Sequence, residues 1–496
     1  MSRPADIGLL LEGTYPFVRG GVSTWAHDLI RGLPELTFSL CFLGASKKTL
    51  GKQAYELPAN VVGLRCEFLF DEGDPGGPPV KRVNEPAFAD SARLHDALRE
   101  GGAPPPDAMR RLALTLGTTD GIGARDFFRS ERAWEEITAR YKQHCTDPSF
   151  TDYFWTVRTM HAPLFTLARI ARELPEARAW HTISTGYAGF LGALLAQQRK
   201  RPLIISEHGI YTKERKIDLA HAQWIKEPPG AEGQGYLREL WSRFFEGLGR
   251  MAYQAARPIV SLYQGNRDRQ VQDGALQERT QVIPNGIDVE RFAKLRPLRP
   301  AEPPRVIGLL GRVTPIKDVR TFIRMMRSVC DAMPEAEGWI VGPTEEDPAY
   351  ARECEELVHT LGLSGKVKFL GFQKPEDILP KLGLLVLTSI SEALPLVLLE
   401  AMAAGLPSMA TDVGACREIL EGAGDGLGSA GAVVPLGDAA AAAEAARALL
   451  TDPERWQKAQ AAGIERVSKH YTRERMLQGY RALYQEAVTW RESASS

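Results

Sequence analysis

Cysteine is scarce and scattered. There are six in 496 residues (Cys41, Cys66, Cys145, Cys330, Cys354, Cys416), and no C-x-x-C pair is among them. That pattern excludes a disulfide framework and a zinc knuckle, and it fits a reducing compartment. No apolar run reaches the roughly eighteen residues that a membrane-spanning helix needs. The short apolar stretch in residues 1–11 is broken by Asp6 and Gly8 and is too brief for a signal peptide. Cytoplasm is therefore the expected location, peripheral to a membrane only through partners. An excess of either charge is also missing: Lys plus Arg total 61 against 62 for Asp plus Glu, which removes the electrostatic case for nucleic acid as a main partner. His144, His161, His221, His359 and His470 lack metal-ligand spacing, and no Asp-x-Asp is present to hold a cation on a diphosphate. No metal and no tightly held cofactor are expected.

The length exceeds one ordinary core, so two large domains are expected. A strand at 7–12, a Gly-containing loop at 13–21, a helix at 22–33 and a strand at 38–43 open the chain as a β-loop-α unit. Gly- and Pro-rich runs at 71–79 and 101–106 then bracket what reads as an irregular insertion, about 70–150. The α/β rhythm resumes with helices at 131–141 and 150–173 and strands at 179–184, 203–206, 258–261 and 281–283. The turn at 284–288 and the Pro-rich 297–304 mark the boundary. Strands at 306–310, 338–341, 367–370, 384–388, 408–411 and 432–434, mostly separated by helices, predict a doubly wound parallel sheet. The expected division is 1–296, 303–472 and a closing helix within 473–496.

Residues 391–407 carry the densest chemical information. Glu392 falls in a strand-to-helix loop, Pro395 and Leu396 open the helix, and Glu400 follows about two turns on among Leu398, Leu399, Ala401 and Met402. An unpaired carboxylate in such company is costly, and a vicinal diol could satisfy it. The helix start offers free N–H groups to an anion. Diol, phosphate and sugar together suggest a nucleotide-sugar. Arg312 and Lys317, in a loop after a buried strand, are cations that can reach a diphosphate. Gly20 and Gly21 let backbone approach phosphate closely. Residues 206–215 pack His208, Tyr211, Lys213 and Arg215 behind a strand end, which suggests a site wall.

The Glu-x7-Glu element, with its Pro and the following Ala-Met-Ala-Ala-Gly-Leu-Pro, resembles retaining glycosyltransferases of the GT-B fold, family 4. The resemblance implies an α/β molecule of two Rossmann-like doubly wound domains facing a central cleft, with a C-terminal helix crossing back to the first. It implies that Glu400 takes the ribose hydroxyls and that Glu392, Arg312 and Lys317 serve the donor sugar and diphosphate. Gly20 and Gly21 would close over that diphosphate, and Gly371 and Phe372 would frame the base beside Leu396. His208 is implied at the donor sugar, with His181 as the second choice, and Tyr211 and Arg215 near the acceptor. Residues 15–25 and 206–215 further resemble the Pel-type exopolysaccharide glycosyltransferases. These imply a UDP-sugar donor, a polysaccharide acceptor and inner-membrane synthase subunits as partners. A UDP-sugar epimerase and a non-catalytic UDP-binding subunit are the alternatives that share such a nucleotide site.

Overall fold

The computed structural model describes residues 4–71, 76–146, 149–222, 224–225 and 235–490. It divides into two compact units, Met1–Val282 with Gly479–Ser496, and Ile283–Gln478. Each unit is a doubly wound α/β sheet, as the resemblance implied.

In the first unit the strands are β1 (Ala5–Glu12), β2 (Phe38–Gly44), β3 (Val61–Phe68), β4 (Ala177–Thr182), β5 (Leu203–Glu207), β6 (Ile259–Ser261) and β7 (Thr280–Val282). Among the described residues they form one sheet in the order β3-β2-β1-β4-β5-β6-β7, with every pairing parallel. Helices on both faces bury the strands twice over, so β1 and β5 read as continuous apolar runs. β3 was not legible in the sequence. It is an edge strand whose Gly63, Arg65 and Glu67 interrupt the apolar pattern.

The stretch expected to be irregular is helical. Helices Glu85–Arg99, Pro106–Thr115, Ala124–Arg129 and Glu131–His144 fill it, and their Leu94, Leu98, Met109, Leu112 and Ile137 join the first unit's core. The Pro and Gly residues that suggested irregularity mark helix boundaries instead, with Pro106 opening the second helix. Of the 71–79 run, residues 72–75 lie outside the described residues.

In the second unit β8 (Val306–Leu310), β9 (Glu337–Val341), β10 (Val367–Phe369), β11 (Leu384–Leu387), β12 (Ser408–Thr411) and β13 (Gly431–Val434) take the order β10-β9-β8-β11-β12-β13, again all parallel. The boundary falls earlier in the chain than the Pro-rich segment suggested. Ile287 exchanges backbone hydrogen bonds with Tyr471 and Arg473, while Arg296 and Arg299 donate to the carbonyls of Ala403 and Leu379 at 2.8 and 2.7 Å. Residues 283–302 are thereby stitched into the second unit. No helix among the described residues is long and apolar enough to cross a membrane.

The closing helix, Arg473–Thr489, changes allegiance along its length, and from Gly479 onward it belongs to the first unit. There a buried chain of polar contacts fixes it: Tyr484 hydroxyl to His181 Nδ1 at 2.6 Å, His181 Nε2 to Ser206 Oγ at 2.9 Å, and Tyr480 hydroxyl to the same Oγ at 2.9 Å. Tyr484→Phe would leave a ring nitrogen unpaired in the core, a loss of about 1–3 kcal/mol. Its urea midpoint should fall accordingly; an unchanged midpoint would contradict this role for the chain of contacts.

Candidate functional site

The second sheet reverses its winding between β8 and β11, and ligands of such sheets bind beyond the carboxyl ends of the strands at that switch point. The two loops that leave it carry Arg312 with Lys317, and Glu392. They are tied together below the surface. Thr388 donates its hydroxyl to the carbonyls of Lys317 and Asp318 at 2.9 and 3.0 Å, and Ile390 N–H donates to Ile316 O at 2.8 Å. Above these bonds Lys317 Nζ and Glu392 Oε1 form a mostly buried ion pair. Gly414 allows the third loop to close in, because a Cβ there would lie 2.2 Å from Glu392 O and its φ is +56°.

Arg312 sits at the same strand end but faces solvent, held by both carboxylate oxygens of Glu346 at 2.6 Å. An exposed pair of this kind is weak, so an arriving anion could exchange for Glu346 at little loss. Next to it Gly342 N–H donates to Gly371 O at 2.9 Å, and Gly342 packs so tightly on Gly311 that a Cβ would meet Gly311 O at 1.9 Å. These glycines bring the ends of β8, β9 and β10 together. Phe372 beyond them is exposed.

Helix Leu396–Ala403 begins at Pro395, which sits at the cap position rather than in the first turn and offers no side-chain cap bond. Glu400 lies on this helix with its carboxyl pushed up to about 7 by burial, an effect that neighbouring Glu376 adds to and Arg291 opposes. Arg291 is itself paired with Glu376, and its short helix is capped by Asp288, whose carboxylate accepts from Arg291 N–H at 3.0 Å. Among the described residues no side-chain hydrogen bond reaches the Glu400 carboxyl.

In the first unit the switch point lies between β1 and β4. Glu12 ends β1 and accepts from Ser184 Oγ at 2.9 Å, Ala188 N–H at 3.0 Å and Tyr211 hydroxyl at 3.1 Å, and Arg215 donates to the same hydroxyl at 3.1 Å. These side chains bound a cavity of about 700 Å³ that His208 also lines. Burial lowers the His208 imidazole to about 4, which keeps it neutral, and its ring stands edge-on to Trp25 with centroids 4.4 Å apart. Glu207, beside it, is consumed by structure: its carboxylate accepts from Thr185, Tyr253 and Gln270 and anchors the start of the helix carrying Tyr211 and Arg215. His181 is fully buried with both ring nitrogens bonded within the protein, so it is a packing residue and does not reach the cavity. Gly20 and Gly21 open helix Gly21–Gly32, exposed and without a side-chain cap, with open space where a Cβ would point.

Sequence reasoning missed Glu12, Glu346, Arg291 and Glu376. Glu12 had a signal, a lone acid at the end of the first apolar strand. The others lie among ordinary surface charges, where only the folded chain shows what they meet. Among the described residues, no group of three or more His, Cys, Asp or Glu is placed to hold a metal ion.

Two doubly wound parallel sheets of this topology are the fold of the GT-B proteins. HepE of Anabaena, solved with UDP and glucose, shares the fold at a TM-score of 0.57 and 16% identity, over 97% of this chain and 99% of that one. The chain belongs to the family described as Domain of unknown function (DUF3492), whose model matches residues 5–278. Residues 304–452 match the model described as Glycosyl transferases group 1. Similar curated proteins include the lipopolysaccharide core biosynthesis mannosyltransferase LpsB of Rhizobium meliloti, 31% identical over 42% of this chain and 61% of its own length. Another is the 2-deoxystreptamine N-acetyl-D-glucosaminyltransferase of Streptomyces fradiae, 35% identical over 36% and 42%. The chain thus spans less than two thirds of these relatives' length.

A raised carboxyl stabilises the folded state only while protonated, so the contribution of Glu400 is most favourable below its unfolded value, near 4.5, and is lost as pH rises through about 7. Glu400→Gln should therefore stabilise the ligand-free protein at pH 8, by on the order of 2 kcal/mol, and change little at pH 4.5. Thermal melts at the two pH values read this directly. Equal effects at both would show that Glu400 titrates normally.

Proposed function

We propose that the chain is a retaining glycosyltransferase that moves a hexose or N-acetylhexosamine from a UDP-sugar to a growing exopolysaccharide. The observation that carries this reading is the Lys317–Glu392 pair bound across the switch point, with Glu400, which has no side-chain hydrogen bond among the described residues, about one turn into the adjoining helix. Ribose hydroxyls donate to Glu400, and the diphosphate takes Arg312, Lys317 and the free amides at the start of Leu396–Ala403. Gly371, Phe372 and Leu396 border the base. The match of residues 304–452 to group 1 glycosyl transferases supports the same assignment.

In the reaction the acceptor oxygen bonds to the anomeric carbon from the side on which the UDP departs, and the carbon–oxygen bond to the β-phosphate breaks. The acceptor's proton passes to that phosphate oxygen, so no protein nucleophile is used. Arg312 and Lys317 neutralise the charge that grows on the phosphate, which is where such groups have most effect. Within the second unit Glu392 positions the sugar; His208 of the first unit, kept neutral by burial, is the residue that the family resemblance assigns to the donor sugar. This reading uses no metal, the charge on the diphosphate being left to Arg312, Lys317 and the helix start. The wider setting follows the Pel-type resemblance of residues 15–25 and 206–215: work in the cytoplasm, beside inner-membrane polysaccharide synthase subunits.

Arg312→Ala and Lys317→Ala should each lower turnover about a hundredfold, measured as UDP release from a UDP-sugar with acceptor present. Near-normal turnover in both would remove the charge-stabilising role. Product linkage read by NMR should keep the donor's anomeric configuration, and inversion would overturn the front-face course.

A further inference from the structure

The turn at 284–288 takes no part in the reaction above, yet it is fastened closely to the root of the closing helix. Gly286 lies so near that a Cβ on it would meet Thr472 O at 2.1 Å. Ile287 N–H donates to Tyr471 O and Arg473 N–H donates to Ile287 O, both at 2.9 Å. Asp288 then uses its two carboxylate oxygens in two directions. One accepts from Arg291 N–H at 3.0 Å and caps the short helix Val289–Ala293, and the other accepts from Arg473 Nη2 at 3.0 Å. The short helix and the closing helix thus share one side chain.

That short helix packs against Leu396–Ala403, the helix that carries Glu400. Val289 and Phe292 are its buried residues, and the guanidinium of Arg291 lies over the Phe292 ring at 5.0 Å. Nε of Arg291 donates to Glu376 Oε1 at 2.6 Å, and Nη2 lies 2.5 Å from the same oxygen. The second oxygen of Glu376 is sealed from solvent and meets no partner among the described residues, so Arg291 offsets the charge of this acid only in part. Burial opposes the ionisation of Glu376, but its own backbone N–H and Arg291 outweigh that and hold its carboxyl below the ordinary value. A fixed cation and a fixed anion therefore stand together beside the Glu400 helix.

Few charges reach Glu400 itself. Among the described residues Arg291 favours its ionisation and Glu376 opposes it, and no other charged group acts on it. Strand β12 offers only Ser408, Met409, Ala410 and Thr411. Helix Pro453–His470 meets this region through Gly463 beside Met402 and through Gln460 Nε2, which donates to Gly405 O at 2.8 Å. A carboxylate accepts from two hydroxyls at once, whereas a carboxyl that keeps its proton accepts less well. We infer that Arg291 and Glu376 together tune Glu400 for the ribose, with Arg291 the positioning residue, and that Asp288 and Arg473, at the root of the closing helix, hold Arg291 in place to do so. The inference rests on the reading that Glu400 takes the ribose hydroxyls, and adds what governs its hold on them.

The test is calorimetric titration of the full chain with UDP and with 2′,3′-dideoxy-UDP across neutral pH. The ratio of the two affinities isolates the ribose hydroxyls, because phosphate protonation affects both ligands alike. In the unaltered protein the ratio should rise as pH passes through about 7, where Glu400 ionises. Arg291→Ala removes the group that lowers the Glu400 carboxyl, so this profile should move up by about one pH unit and the ratio at neutral pH should fall about fivefold. Arg291→Lys keeps the charge and should recover most of the shift. Glu376→Gln should move the profile down, and Arg473→Ala should move it up by less than Arg291→Ala does. Binding of the dideoxy analogue reports that each variant is folded. A profile left in place by either Arg291→Ala or Glu376→Gln overturns the inference, and one left in place by Arg473→Ala removes the closing helix from it. A ratio near one at every pH in the unaltered protein would instead defeat the assignment of Glu400 to the ribose.

Discussion

The Lys317–Glu392 ion pair is the contact that ties together the two loops at the second unit's switch point. Two loops leave neighbouring parallel strands in opposite directions at the switch point, and nothing in the sheet's own hydrogen bonding holds them together beyond the strand ends. Thr388, Ile390 and the ion pair do so. A mostly buried pair of charges is a poor source of stability, since desolvation offsets much of the attraction. Its place at the carboxyl end of a parallel sheet, beside an uncapped helix start, makes better sense as an arrangement for a charged ligand.

Glu400 and Glu346 show how differently two acids can serve one strand end. Glu346 shares Arg312 at the surface, where the pairing is weak and exchangeable. Glu400 lies against apolar neighbours, and burial, with Glu376 adding to it, makes its carboxyl reluctant to ionise.

Much of this was legible in the sequence because parallel sheets bury both faces, so that strands such as β1, β5, β8 and β11 stand out as apolar runs. The acids and cations that break the pattern at the strand ends stand out with them. Glu392, Arg312 and Lys317 were read as candidates in this way, and Glu400 as an acid set inside an apolar helix. What was missed has physical reasons. β3 is an edge strand with polar positions, and the helical stretch after it is punctuated by prolines that start helices as readily as they end strands. His181 looked like its neighbour His208 because both follow apolar strand residues. Only the closing helix, delivering Tyr480 and Tyr484 from about three hundred residues away, shows that one ring is sealed into packing while the other faces a cavity.

The most direct test of the account is a crystal structure of the full chain with UDP. The account predicts the ribose hydroxyls within hydrogen-bond distance of Glu400, and the diphosphate against Lys317, Arg312 and the first amides of Leu396–Ala403 with Arg312 released from Glu346. UDP bound elsewhere, or bound with Glu400 and Lys317 both untouched, would contradict it.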